Sequence, residues 1–114
     1  MPNPKELYIL WTNDNILTSQ LMVMKYATKS IANGWWDKVT VILWGAPVKL
    51  MAENETIQEC FKIARHVGVE FSACIDCALQ LDVADKLKAL GIEPAPWGEG
   101  LTNIIQDGGH LINV

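Results

Sequence analysis

The chain has 114 residues, of which 50% are hydrophobic and only 19% charged, and its formal net charge is -4. These figures exclude a disordered segment and leave room for one domain, residues 1–114, around a single buried core. The acidic balance argues against nucleic acid as a partner, because phosphate contacts need a basic face.

Met1-Pro2-Asn3-Pro4-Lys5 is polar and lacks the basic region, long apolar run and small-residue cleavage site of a signal peptide. No apolar stretch is long enough to span a bilayer, so a cytoplasmic protein without membrane contact is expected. In a reducing compartment the three cysteines are expected as free thiols, core residues or reactive groups rather than structural disulfides.

Leu7 to Trp11 reads as a first strand, and Thr12 to Asn15 as a loop rich in helix N-caps. Leu17, Leu21, Met24, Ala27 and Ile31 then recur at helical spacing, with Gly34 placed to end that helix. Val39 to Trp44 is the clearest strand, β-branched and almost wholly apolar. Gly45-Ala46-Pro47 breaks it, and Pro47 can open a helical turn. Thr56 and Glu59 have the spacing of a capping box ahead of a face made by Ile57, Cys60, Phe61 and Ala64.

Gly68 closes that helix, and Val69 to Ala73 forms a third strand leading into Cys74-Ile75-Asp76-Cys77. A short helix follows, then a turn capped by Asp82 through Val83, Leu87 and Leu90, stopped by Gly91. Ile92 to Ala95 is a weak strand, and Pro94 favours an edge position for it. Gly98-Glu99-Gly100 leads into a last helix from Leu101 to about Gln106. Gly108-Gly109 is a turn before the final strand, His110 to Val114. Alternating strands and helices of this kind predict a three-layer α/β/α sandwich with a mostly parallel sheet of about five strands.

In such sheets ligands collect at the carboxyl ends of the strands. That edge gathers Trp11, Asn13 and Asp14, then Trp44 and Gly45, then Cys74, and further on Trp97. Cys74 is the candidate catalytic thiol, because backbone N–H groups at a strand-to-helix junction favour the thiolate. Asp76 and desolvation oppose that effect, and a buried structural cysteine is the plainer reading. Cys77, three residues on, either resolves an oxidised Cys74 or packs in the core.

Zinc needs further ligands, and only Cys60, His66 and His110 are on offer. His66 lies before the third strand and Cys74 after it, roughly 17 Å apart at about 3.3 Å per residue. Neither zinc nor a Cys–His pair is therefore expected. No phosphate-binding glycine loop is present, and no cofactor is predicted. Trp11 and Trp44 are expected to wall an apolar pocket beside Cys74, and Trp35 and Trp36, at the opposite edge, to serve as subunit contacts.

The segments "VTVILWGAP", "GVEFSACIDCALQLDVADKLKALGIEP" and "GEGLTNIIQDGGHLINV" resemble, in order and spacing, the DsrE/DsrF/TusD-like sulfur-relay family. That resemblance implies an α/β/α domain assembled as a homo-oligomer, often a trimer or hexamer. It implies that the cysteine matching Cys74 accepts a persulfide from a donor protein and passes it to an acceptor, with no prosthetic group. Cys77 is not a general feature of that family. A non-catalytic binding module of the same fold, and a dithiol redox protein using Cys74 and Cys77, stand as alternatives.

Overall fold

The computed structural model describes residues 4–114; the polar start Met1-Pro2-Asn3 lies outside them. Five strands, β1 (Glu6–Trp11), β2 (Lys38–Leu43), β3 (Glu70–Cys74), β4 (Glu93–Ala95) and β5 (His110–Asn113), pair in parallel in the order β4-β3-β2-β1-β5. Six helices connect them. α1 covers residues 16–32, α2 is Ala46–Glu53, α3 Glu55–Val67, α4 Ile75–Gln80, α5 Ala84–Ala89 and α6 Trp97–Gln106.

The strand order fixes the layers. From β1 to β4 each crossover steps in the same direction, so right-handed connections put α1 to α5 on one face of the sheet. The return from β4 to β5 runs the other way and leaves α6 alone on the second face. Burial follows this division. Leu7, Ile9 and Trp11 alternate with the half-buried Glu6, Tyr8 and Leu10, and pair in register with the buried Val39, Val41 and Leu43.

The five-helix face holds the core. Phe61 of α3 is fully buried and meets the edge of Phe71 of β3 at a centroid distance of 4.8 Å. Burying a side chain of that size contributes about 1.5–3 kcal/mol. Pro94, which cannot donate to a ladder, sits in edge strand β4, as its chemistry predicts.

Four expectations from the sequence need correction. Asp82 does not cap α5: the N-cap residue is Val83, and Asp82 takes a left-handed φ of 56° in the turn before it. The stripe through Leu17 and Leu21 is not the buried face of α1, since those leucines are 65% and 62% exposed. Between an α-turn at Ile16–Thr18 and the α-helix Lys25–Ala32, residues Ser19–Met24 form a π-helix. A π turn inserts one residue into the α repeat, so it rotates the preceding stripe away from the core. Ser19 and Val23 are buried in their place, while Met24 and Ala27, farther along the predicted stripe, do face the core together with Ser30.

The N-cap of α3 is Asn54, whose side chain accepts from the Ile57 N–H at 3.0 Å, and not the Thr56–Glu59 box. Asn54 wins because it also ends α2, leaving no loop in which Thr56 could lie ahead of a helix. The last helix starts at Trp97 and takes in both glycines. A Cβ at Gly100 would lie 2.8 Å from Trp97 Cε3, so the glycine lets the indole fold back over its own helix.

Candidate functional site

The candidate site lies at the carboxyl edge of the sheet, where β2 and β3 deliver the chain into α2 and α4. Cys74 ends β3, stands opposite Ala95 of β4, and is the N-cap residue of α4 with extended φ/ψ of -61° and 121°. It is 6% exposed. Cys77 follows one helical turn later, half-buried, and both are free thiols. The expected junction of strand and helix at Cys74 is present, but the thiol facing outward is Cys77.

Cys77 lines a cleft of about 630 Å³ with Asp14, Gly45, Lys49, Glu53 and Gln80. Each wall has a local cause. Asp14 belongs to the loop after β1, where the Asn13 side chain accepts from the Asn15 N–H and Asn15 caps α1 through the Thr18 N–H at 2.9 Å. Gly45 joins β2 to α2 with φ 77° and ψ -126°, a conformation that side chains rarely adopt. That turn brings its backbone N–H to the sulfur of Cys77. Pro47 near the start of α2 then sets the helix direction, and Lys49 and Glu53 follow four residues apart on one side of it.

Burial raises the Cys77 thiol above its ordinary value of 9.0, and a hydrogen bond with the Cys74 side chain raises it further. The Gly45 N–H works against both by stabilising the thiolate, while the charge of Asp76 adds to the rise. The site therefore holds two adjacent thiols, one facing a cleft and one behind it, with a backbone donor on the outer sulfur. That arrangement suits thiol exchange, in which the outer sulfur attacks and the inner one completes or reverses the step.

Among the residues expected at this edge, the fold brings Asp14, Gly45 and Cys77 together on the cleft wall, with Cys74 next to Cys77 behind it. It does not bring the tryptophans. Trp11 is fully buried in the core, because position 11 falls on the inward side of β1's alternation, and its indole Nε1 lacks a hydrogen-bond partner. Trp44 and Asn13 do not line the cleft. Trp97 lies over the second sheet face, where its Nε1 donates to the Ser72 hydroxyl at 2.7 Å. It borders a separate hollow of about 330 Å³ with Tyr8 and Asp107.

Lys49, Glu53, Asn54 and Gln80 line the cleft without having been anticipated. The signal was the four-residue spacing of polar side chains following the Gly45 turn. Cys60 is half-buried on α3, with the Gln20 amide 4.0 Å from its sulfur. His66 and His110 are exposed, and His110 lies against the Trp36 ring at 5.3 Å. Trp35 is 51% exposed, whereas the Trp36 Nε1 donates to the Tyr26 hydroxyl at 3.1 Å. No three His, Cys, Asp or Glu side chains converge as metal ligands among the described residues. No helix among them is long and apolar enough to cross a membrane.

No protein-family model matches the chain, and no curated protein does. Among solved structures, a conserved protein of unknown function from Bacteroides thetaiotaomicron, BT1422, superposes with a TM-score of 0.94 at 35% sequence identity. The match covers 96% of this chain and 95% of that one.

Proposed function

The chain belongs to the family of that Bacteroides protein of unknown function, and from the site itself we propose that it handles sulfane sulfur. In this reading the Cys74–Cys77 pair accepts a persulfide sulfur and passes it on, as the resemblance to the DsrE-like relay proteins suggests. One observation carries it: Cys77 lines a cleft on the carboxyl edge of the sheet, and Cys74, the N-cap residue of the same helix, adjoins it from behind. The exchange needs no prosthetic group, because the sulfur is held covalently as Cys–S–SH. A cytoplasmic location and a homo-oligomer, trimer or hexamer, belong to the same proposal, as do protein donors or acceptors of the sulfur.

Mass mapping tests it. The reduced chain is treated with a persulfide donor, and the sulfur is expected to enter at the peptide carrying the two cysteines, seen either as a gain of one sulfur (about 32 Da) or as the Cys74–Cys77 disulfide left once that sulfur has been passed on. Sulfur found only on Cys60, or uptake undiminished when Cys74 and Cys77 are both replaced by serine, would sink the proposal.

Two other readings keep specific support. A cleft of about 630 Å³, lined by both charges and by Leu50 and Leu81, suits a non-catalytic small-molecule binding module. Adjacent thiols across one helical turn suit a dithiol redox protein, which requires a reversible Cys74–Cys77 disulfide.

A further inference from the structure

The unequal exposure of the two thiols bears on what can deliver sulfur and how it leaves. Cys74 is 6% exposed, so a persulfide fixed on the surface of a folded partner cannot approach it directly. Cys77 is reached through a cleft of about 630 Å³, within the range that takes one small ligand. The walls carry Asp14 and Glu53 as acids and Lys49 as a base, with Leu50 and Leu81 as apolar surface. Both signs of charge around an apolar patch complement a zwitterionic amino acid or short peptide with an apolar stem.

Resting on the sulfur-handling reading above, we infer that the donor is a low-molecular-weight amino-acid or peptide persulfide. It gives its outer sulfur to Cys77, and Cys74 then expels that sulfur as hydrosulfide.

The steps balance. The Cys77 thiolate attacks the outer sulfur of R–S–SH, so that a Cys77 S–S bond forms, the donor S–S bond breaks and RS⁻ leaves, taking up a proton. The Cys74 sulfur then attacks the inner sulfur of Cys77–S–SH. A Cys74–Cys77 disulfide forms and HS⁻ departs through the cleft, carrying the electron pair of the broken bond. Two molecules of a low-molecular-weight thiol, RSH, reduce the disulfide and leave as RSSR. In the net reaction, RSSH and RSH give hydrogen sulfide and RSSR. The Gly45 N–H assists the first step, because it donates to the sulfur that must carry negative charge.

The test mixes the reduced full-length chain with glutathione persulfide, and in parallel with a persulfidated protein donor. Released hydrosulfide and intact mass are followed together. The wild type is expected to release about one sulfide per chain and to become about 2 Da lighter, the mark of the internal disulfide. Cys74→Ser is expected to retain about 32 Da at Cys77 without releasing sulfide, and Cys77→Ser to take up sulfur about tenfold more slowly. Wild type with Cys77 blocked by limited alkylation should behave as Cys77→Ser does, which covers the case of a variant that folds poorly.

Wild type that holds the added sulfur without releasing sulfide would overturn the discharge step while leaving sulfur handling intact. Uptake from the protein donor alone would overturn the small-donor assignment. No uptake from either donor would remove the sulfur-handling reading, and the inference with it.

Discussion

Replacing Gly45 by alanine separates backbone strain from steric clash at the turn that aims an N–H at Cys77. A Cβ built at Gly45 meets nothing within 4 Å, so the substitution fits the available space. The cost is the conformation, φ 77° with ψ -126°, which for a residue with a Cβ is worth about 1–3 kcal/mol. For a domain of this size the melting temperature should fall by about 4–12 °C. The natural control is Gly98→Ala, also with open space but without positive φ, inside α6. There alanine should be neutral or stabilising by up to about 1 kcal/mol. The second readout is alkylation of Cys77 by iodoacetamide. Loss of an N–H bond worth about 1 kcal/mol to the thiolate should slow it roughly fivefold. Equal melting of the two variants would refute the strain argument, and unchanged alkylation in a destabilised Gly45→Ala would refute the role of the N–H.

Three further outcomes follow from the geometry. Trp97→Phe keeps the ring but loses the bond to Ser72, and should cost about 0.5–1.5 kcal/mol in urea unfolding. Leu21→Gln, on the exposed side of the π segment, should stay within about 0.5 kcal/mol, whereas Met24→Ala, 3% exposed, should cost about 2–5 kcal/mol. A cost at Leu21 as large as that at Met24 would mean that the stripe predicted from spacing runs unbroken through the π segment as the core face. Because the Cys77 pKa lies above its ordinary 9.0 in the fold, the folded state binds more protons there than the unfolded chain. The stability this gives is complete below pH 9.0 and declines as pH rises toward and through the folded value. Thermal melts from about pH 8 to 11 should show this component in the wild type and not in Cys77→Ser.

The sheet was legible because its signals are local and strong. Val39 to Leu43 could hardly be anything but a buried strand, and Pro94 announced its edge place. The site was half legible. Cys74 and Gly45 were identifiable from where strands end, a property of topology. Which thiol faces the cleft was not, because it depends on how α2 and α4 pack, and spacing alone carries no such information. The tryptophans misled for a related reason. Size and position at a strand end say nothing about facing, and Trp11's parity along β1 turns it inward. In α1 a regular 3.6-residue period does not hold across Ser19–Met24, where the helix takes a wider turn, so spacing alone misplaces the residues ahead of it.

That wider turn makes the first helix a spacer whose length can change without unravelling it. Removing a single residue between Ser19 and Met24 would return the segment to ordinary α geometry, and the short turn Ile16–Thr18 with the loop leading into it would have to take up a rotation of about 100° and a shift of about 1.5 Å while β1 stays in the sheet. The residues ahead of it include Asp14 and Asn15, the former on the cleft wall, while Ala27 and Ser30 behind it stay seated in the core. Relatives that differ by one residue at this point would share a core and differ in the mouth of the cleft, so variation in ligand choice can accumulate there with little change in fold stability.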